Sequence, residues 1–467
     1  MTVASLRADG SLSRALVDIV QRAAHAPLQA SAVDATHRLV TNWLGCALGA
    51  ARDPAVMAAL RVATALGASS AASIVGHACR LDVVNASLVN GISANALDYD
   101  DMHVPTLIHP TGAVVATAMA LAEQRHADGH RFLRAVAAGI EVECRLGQLL
   151  FPDHYDKGWH ISSTLGTLGA AAAGSVLLGL DATRTAHAFG LASTQAGGLR
   201  AMLPNPCKSF NIGKAAAAGT LSALLAEAGF ESEPASLEAR FGFFDLFGWP
   251  ADPDHALASL RRADGPWMVT QASLKPYPCG VVIHPVIDAC LAVTAMPGFD
   301  AARVCRVTLA VHPRTLVLAG RQHPADAINA RFSLFHAAAL ALSKRSAGLA
   351  AFDGCDVEAP DLHALRERMV AVPEAERSPG SCRASVELDD GTSFVHEIDQ
   401  PRGSPAHPLS DAFLADKFNE LAMRAMDAAS AQTLYVTCLQ LDRMPDMAAL
   451  AAHWAGPPAN PPRERDR

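Results

Sequence analysis

Apolar residues recur at i, i+3 and i+4 through the stretches 35–50, 84–97, 110–124, 131–148, 164–179, 183–197 and 213–229, as in helices with one buried face. Alanine and glycine crowd the contact positions, as in GKAAAAGTLSALLAEAG from Gly213 to Gly229, so helix axes are expected to approach closely, with Gly229 as a C-terminal stop. The pattern changes after about residue 265. Residues 304–313 alternate as a strand does, 368–373 form a second, and 383–399 read as two strands around the Asp390-Gly391 turn. Helical patterns at 285–295 and 332–344 lie among them, and beyond Pro408 a helical pattern returns with Ser410 as its N-cap. An all-helical bundle followed by a smaller α+β domain is the expectation. The last dozen residues, GPPANPPRERDR, are Pro-rich and charged, and a disordered tail is expected there.

The chain has 467 residues, half of them hydrophobic but only 5% aromatic and 18% charged, which makes the core aliphatic and alanine-rich. A net charge of −8 provides no basic footprint, which excludes nucleic acid and an anionic membrane surface as partners. Residues 161–180 are uncharged over a membrane span's length, yet Ser, Thr, Gly and Ala outnumber Leu and Phe, so a buried helix is expected rather than a span. The N-terminus carries charges and no apolar run of the secretory kind. Ten cysteines, none in a C-x-x-C pair, read as reduced thiols and suit a cytoplasmic location. No G-x-G-x-x-G, G-x-x-x-x-G-K-[ST] or G-x-S-x-G occurs, and the nearest zincin-like string, His396 to Gln400, lacks its second histidine.

The densest polar cluster is Asp98-Tyr99-Asp100-Asp101-Met102-His103, leading to His109-Pro110-Thr111-Gly112. Pro110 suits the first turn of a helix, which puts His109 at that helix's positive end; His284-Pro285 repeats the device. His160 precedes the next helix, with Ser162 and Ser163 as candidate caps, and Lys208 precedes one expected to begin near Gly213. Four cationic or potentially cationic side chains thus stand at helix starts, where free N–H groups favour anions, and a pocket collecting them suits a substrate with several carboxylates. Asp98, in an apolar-flanked run, reads as a partly buried carboxylate; Asp100 and Asp101 read equally well as solvated loop charges. Cys279 reads as packing and His336 as a core histidine.

At these residues the sequence resembles the MmgE/PrpD family. The resemblance rests on NGISANALDYDD with HPTGAVVATAMALAE, GWHISSTLGTLGAAAAGSVLLGLD, STQAGGLRAMLPNPCKSFNIGKAAAAG, KPYPCGVVIHPVIDA and ARFSLFHAAALAL, in that order along nearly the whole chain. It implies a mainly α fold: a helical domain from residues 1–265 joined by C-terminal helices at 404–455, a smaller α+β domain at 266–403, and a tail at 456–467. It further implies a homodimer, no cofactor, no metal and an active site between the domains. By motif position it places the catalytic roles on Asp98, His109, His160 and His284, and substrate binding on Lys208, Met102, His103, Lys275 and His336. The family's dehydratases and decarboxylases carry Thr where Met102 stands; Asn211 and His336 replace a His and a Tyr. The implied activity is a cofactor-independent lyase reaction on a small polycarboxylate. An epimerase of an iminodisuccinate-like dicarboxylate, a metal-dependent hydrolase using Asp98, Asp101, His103 and His109, and a non-catalytic carboxylate-binding protein are the alternatives.

Overall fold

The computed structural model describes residues 11–67, 69–262, 265–353 and 357–455; the tail at 456–467 and Cys355 lie outside the described residues. Each stretch with the helical period is a helix: Ala30–Gly49, Val83–Asn95, Pro110–Gln124, Gly129–Leu150, Ile161–Leu178, Ala182–Gln195 and Cys207–Glu227. The uncharged helix Ile161–Leu178 buries every residue except Leu178 against Pro110–Gln124, Gly129–Leu150 and Cys207–Glu227, so its apolar character serves the interior of the fold. Small residues permit this. A Cβ on Gly219 would lie 2.4 Å from that of Ala170, and one on Gly213 would lie 2.3 Å from the carbonyl oxygen of Leu88. Gly213 therefore marks a crossing point inside its helix.

That crossing corrects one expectation. The helix begins at Cys207, whose N–H donates to Asn205 Oδ1 at 2.9 Å, so Lys208 belongs to its first turn. Likewise His160 is itself the N-cap residue of Ile161–Leu178, without a side-chain capping bond, and Ser162 and Ser163 lie inside the first turn. Their hydroxyls serve other chains of contact: Ser162 Oγ accepts from His109 N at 3.0 Å, and Ser163 Oγ donates to Asn211 O at 2.8 Å.

The helical core runs from Leu12 to Leu274 and resumes from Leu409 to Leu450. Helix Asp411–Ala422, capped by Ser410 on Phe413 N at 3.2 Å, lies on Ala30–Gly49, where Gly49 makes room for Leu421. A second core, Tyr277 to Phe394, surrounds a four-stranded sheet ordered Met369–Pro373, Val304–Val311, Cys382–Leu388, Ser393–Ile398. The first pair is parallel and the other two antiparallel, with Asp390-Gly391 in the turn between the last two strands. Helix His284–Thr294 packs on this sheet beside Leu334–Lys344.

Candidate functional site

A cavity of about 310 Å³ opens where the two cores meet, lined from the helical side by Asp98, Met102, His109, His160 and Lys208, and from the other by Lys275, Val281, Leu316 and Phe332. Asp98 is its hub. The turn after helix Val83–Asn95 closes by Asp98 N donating to Asn95 O at 3.0 Å and leaves Asp98 at φ +51°, a left-handed conformation uncommon outside glycine. Lys275 Nζ holds it there, donating to the Asp98 carbonyl at 3.1 Å and to Oδ1 at 2.7 Å. Lys208 Nζ reaches the same Oδ1 at 3.0 Å and Asn95 Oδ1 at 2.9 Å. Burial alone would raise the Asp98 pKa; the Lys208 and Lys275 ammoniums outweigh it and hold the carboxyl far below its ordinary range. Oδ2 of Asp98 is buried without a hydrogen-bond partner among the described residues.

His109 caps helix Pro110–Gln124 and is buried. Its Nδ1 lies 3.1 Å from Asp100 Oδ2, and its Nε2 lies 3.8 Å from Asp98 Oδ1 on the cavity side. A carboxylate at Nδ1 selects the tautomer protonated there, so the Nε2 lone pair faces the cavity. Burial lowers the His109 pKa, partly offset by Asp100; burial alone would raise the Asp100 pKa, but His109 outweighs it and leaves Asp100 at about 2. His160 is 3% exposed, its Nδ1 has no hydrogen-bond partner among the described residues, and burial reinforced by Lys208 lowers its pKa well below the ordinary histidine value. Two imidazoles are thus held neutral beside a lysine–aspartate–lysine cluster.

Several expected site residues stand elsewhere. His103 is buried with Nδ1 2.7 Å from Thr106 Oγ1; His284 lies behind the Lys275 turn, Nε2 3.4 Å from Cys279 O; His336 sits in the second core, Nδ1 3.0 Å from Arg366 Nη1. None of the three lines the cavity. The motif carrying His336 contributes through its neighbours: Phe332 walls the cavity, Ser333 Oγ caps Leu334–Lys344, and Arg331 donates to the Leu97 carbonyl beside Asp98. Asp100 and Asp101, read as possible solvated charges, are fully buried. Asp101 accepts from Thr111 Oγ1, and burial together with Asp100 raises its pKa to about 7.

The pattern of residues gave no sign of Arg200 and Arg321, which also line the cavity, nor of Lys417. Lys417 comes from helix Asp411–Ala422, and its buried ammonium donates to Asn42 Oδ1 at 2.7 Å and to the carbonyls of Tyr99 at 2.8 Å and Lys275 at 2.7 Å. It ties together the backbone beside both Asp98 and Lys275.

A divalent ion fits this centre poorly. Ligand atoms of Asp98, Asp100 and His109 lie within 4.8 Å of one another, but a cation among them would face the two ammoniums already on Asp98. The other two expected ligands are directed elsewhere, Asp101 to Thr111 and His103 to Thr106.

The two lysines should separate on substitution. Lys275 is 1% exposed and props the strained turn, so Lys275→Met is expected to cost about 3 kcal/mol, the low end for interrupting a buried pair because Lys208 remains. Lys208→Ala removes a charge from the cavity wall and should weaken substrate binding and turnover together with a far smaller loss of stability. Denaturant melts of both variants check this; equal stabilities would reject it.

A mainly helical fold with a cavity between two cores, walled by buried histidines and a buried charge cluster, has the features of an enzyme active site. The chain belongs to the MmgE/PrpD family: the family's N-terminal domain matches residues 14–256 and its C-terminal domain residues 277–441. The cis-aconitate decarboxylases of Mus musculus and Homo sapiens are each 29% identical to it, over 395 and 398 residues, with 81% of this chain and 80% of each relative covered. That of Aspergillus terreus is 26% identical over 442 residues, covering 88% of this chain and 89% of the relative.

Proposed function

We propose that the chain is a cofactor-independent lyase that moves a proton at a carbon next to a carboxylate of a small polycarboxylate. The observation that carries this reading is the meeting, in one cavity, of a buried neutral His160, whose Nδ1 has no partner among the described residues, with the Lys208–Asp98–Lys275 cluster. Lys208 and Lys275 offset Asp98 and the neighbouring Asp100, and Arg200 and Arg321 add positive charge to the wall, which favours binding of a substrate carboxylate and stabilises the negative charge growing on it in the transition state. In a dehydration, one neutral imidazole takes the proton beside the carboxylate and a protonated one gives its proton to the hydroxyl, which leaves as water. In a decarboxylation, the carbon–carbon bond breaks, its electron pair stays on the substrate's carbon skeleton, and an imidazolium protonates that carbon as CO2 departs. His109, neutral at rest, is suited to carry a proton taken up at Nε2 from solvent or substrate, because Asp100 stabilises the resulting imidazolium through Nδ1. The names of the relatives support decarboxylation.

The test is turnover of citrate, 2-methylcitrate, cis-aconitate, iminodisuccinate and related polycarboxylates in deuterated water. Release of water or CO2, with deuterium entering at carbon in the decarboxylation and no effect of chelator, is the expected result. Deuterium exchange without loss of either would make the protein an epimerase, activity abolished by chelator would make it metal-dependent, and binding without turnover would make it a carboxylate-binding protein.

Met102 narrows the substrate. It is 6% exposed and lines the cavity at the place where the resembling dehydratases and decarboxylases carry a hydroxyl. A thioether donates no hydrogen bond, and the loss of one such donor disfavours a substrate built to use it by about 1–3 kcal/mol, or roughly 5–150-fold. Wild-type protein should act weakly on 2-methylcitrate and cis-aconitate, and Met102→Thr should gain on both. Efficient wild-type turnover of either compound defeats the specificity argument.

A further inference from the structure

Outside the cavity, His323, His363 and Glu367 converge on the surface of the smaller domain. His363 and Glu367 are four residues apart on helix Pro360–Glu367 and so share a face. His323 approaches from the segment that follows helix Pro313–Ala319: its Nε2 lies 3.2 Å from Glu367 Oε1, and its ring stacks on that of His363 with centroids 5.4 Å apart and 29° between planes. One ligand atom from each of the three falls within 4.8 Å of the others. The approach of the segment is fixed by its neighbour, because Gln322 Nε2 donates to the Arg366 carbonyl at 3.0 Å, and Arg366 is itself fully buried.

We propose that His323, His363 and Glu367 form a binding site for a borderline divalent transition metal, Zn²⁺ or Ni²⁺. Two imidazoles and one carboxylate are the donor set such ions prefer, and they select against Mg²⁺ and Ca²⁺, which favour oxygen ligands. Bonds of about 2.0–2.2 Å place tetrahedral ligand atoms roughly 3.3 Å apart, a spacing His323 and Glu367 already have and His363 reaches by rotating an exposed side chain. Three protein ligands leave positions open to water. The site also joins the helix to the cavity wall, since Gly320 and Arg321, just before His323 in the chain, line the cavity.

The experiment is calorimetric titration of the chelator-treated full chain with Ni²⁺ at neutral pH, beside His323→Ala, His363→Ala, Glu367→Gln and the double histidine variant. Wild-type protein should take up one saturable equivalent, each single variant should bind at least about tenfold more weakly, and the double variant should lose that equivalent. All three side chains are exposed, so unchanged metal-free melting temperatures confirm that the variants stay folded. No saturable equivalent in the wild type, or an isotherm that the double variant leaves unchanged, overturns the proposal.

Discussion

His160→Gln is expected to slow turnover by about 10²–10⁴ while changing substrate affinity little, the usual cost of removing a general acid or base. Glutamine keeps much of the size of the side chain at the cavity wall, where His160 is buried, but it cannot exchange a proton near neutral pH. His109→Gln should fall in the same range, because the Asp100–His109 pair delivers a proton only through an imidazole. His284→Gln provides the contrast. Its ring lies behind Lys275 against the Cys279 carbonyl and outside the cavity lining, so its kcat should change far less than that of the other two. Steady-state kcat and KM of the three variants decide the matter, and a loss in His284→Gln equal to that of His160→Gln would move the proton-transfer role to His284.

The helices were legible in the sequence because an alanine-rich, helical period leaves few alternatives, and the sheet because two strand-like runs precede a pair that flanks the Asp390-Gly391 turn. The start of Cys207–Glu227 was not, since Gly213 looks like a boundary in a one-dimensional reading and becomes a crossing point only once Val83–Asn95 lies against it. The site followed the same division. Asp98, His109, His160, Lys208 and Lys275 stand in distinctive motifs, and the fold brings all five to one cavity. His336 lies in an equally distinctive motif whose work is done by Arg331, Phe332 and Ser333. Lys417 left no trace, because a lysine on a helix with charged neighbours looks solvated until tertiary packing presents it with three oxygen acceptors. Asp100 is buried by a partner, His109, nine residues away, which no local pattern of polarity reveals.

Stability should collapse in mild acid. Burial pulls the His103 pKa to about 4; burial with Lys275 pulls His284 to about 3, and burial with Arg366 pulls His336 to about 4, while His109 and His160 are also lowered. A depressed histidine stays neutral in the folded chain while the unfolded chain takes up its proton below about pH 6.5, so the unfolded state binds more protons and stability falls as pH drops toward the folded values. Two carboxyls oppose this: Asp101, raised to about 7 by burial and Asp100, and Glu143, raised by burial and Asp101, take up protons in the folded state first and gain stability over the same window. His37, His154 and His453, also lowered by burial, act with these five histidines, and Glu238 and Glu420, also raised by burial, act with these two carboxyls, so the histidines outnumber the carboxyls and stability falls as pH drops. Denaturant midpoints measured from about pH 7 down to about pH 5 should therefore decline steeply, well before Asp98 and Asp100 begin to protonate. His284→Phe keeps an aromatic ring beside Tyr277, where the imidazole sits edge-on, and removes one titrating group, so its stability profile should be shallower by about 1.4 kcal/mol per pH unit. A flat wild-type profile across that range, or one that His284→Phe leaves unchanged, would mean that these histidines are not held neutral by the fold.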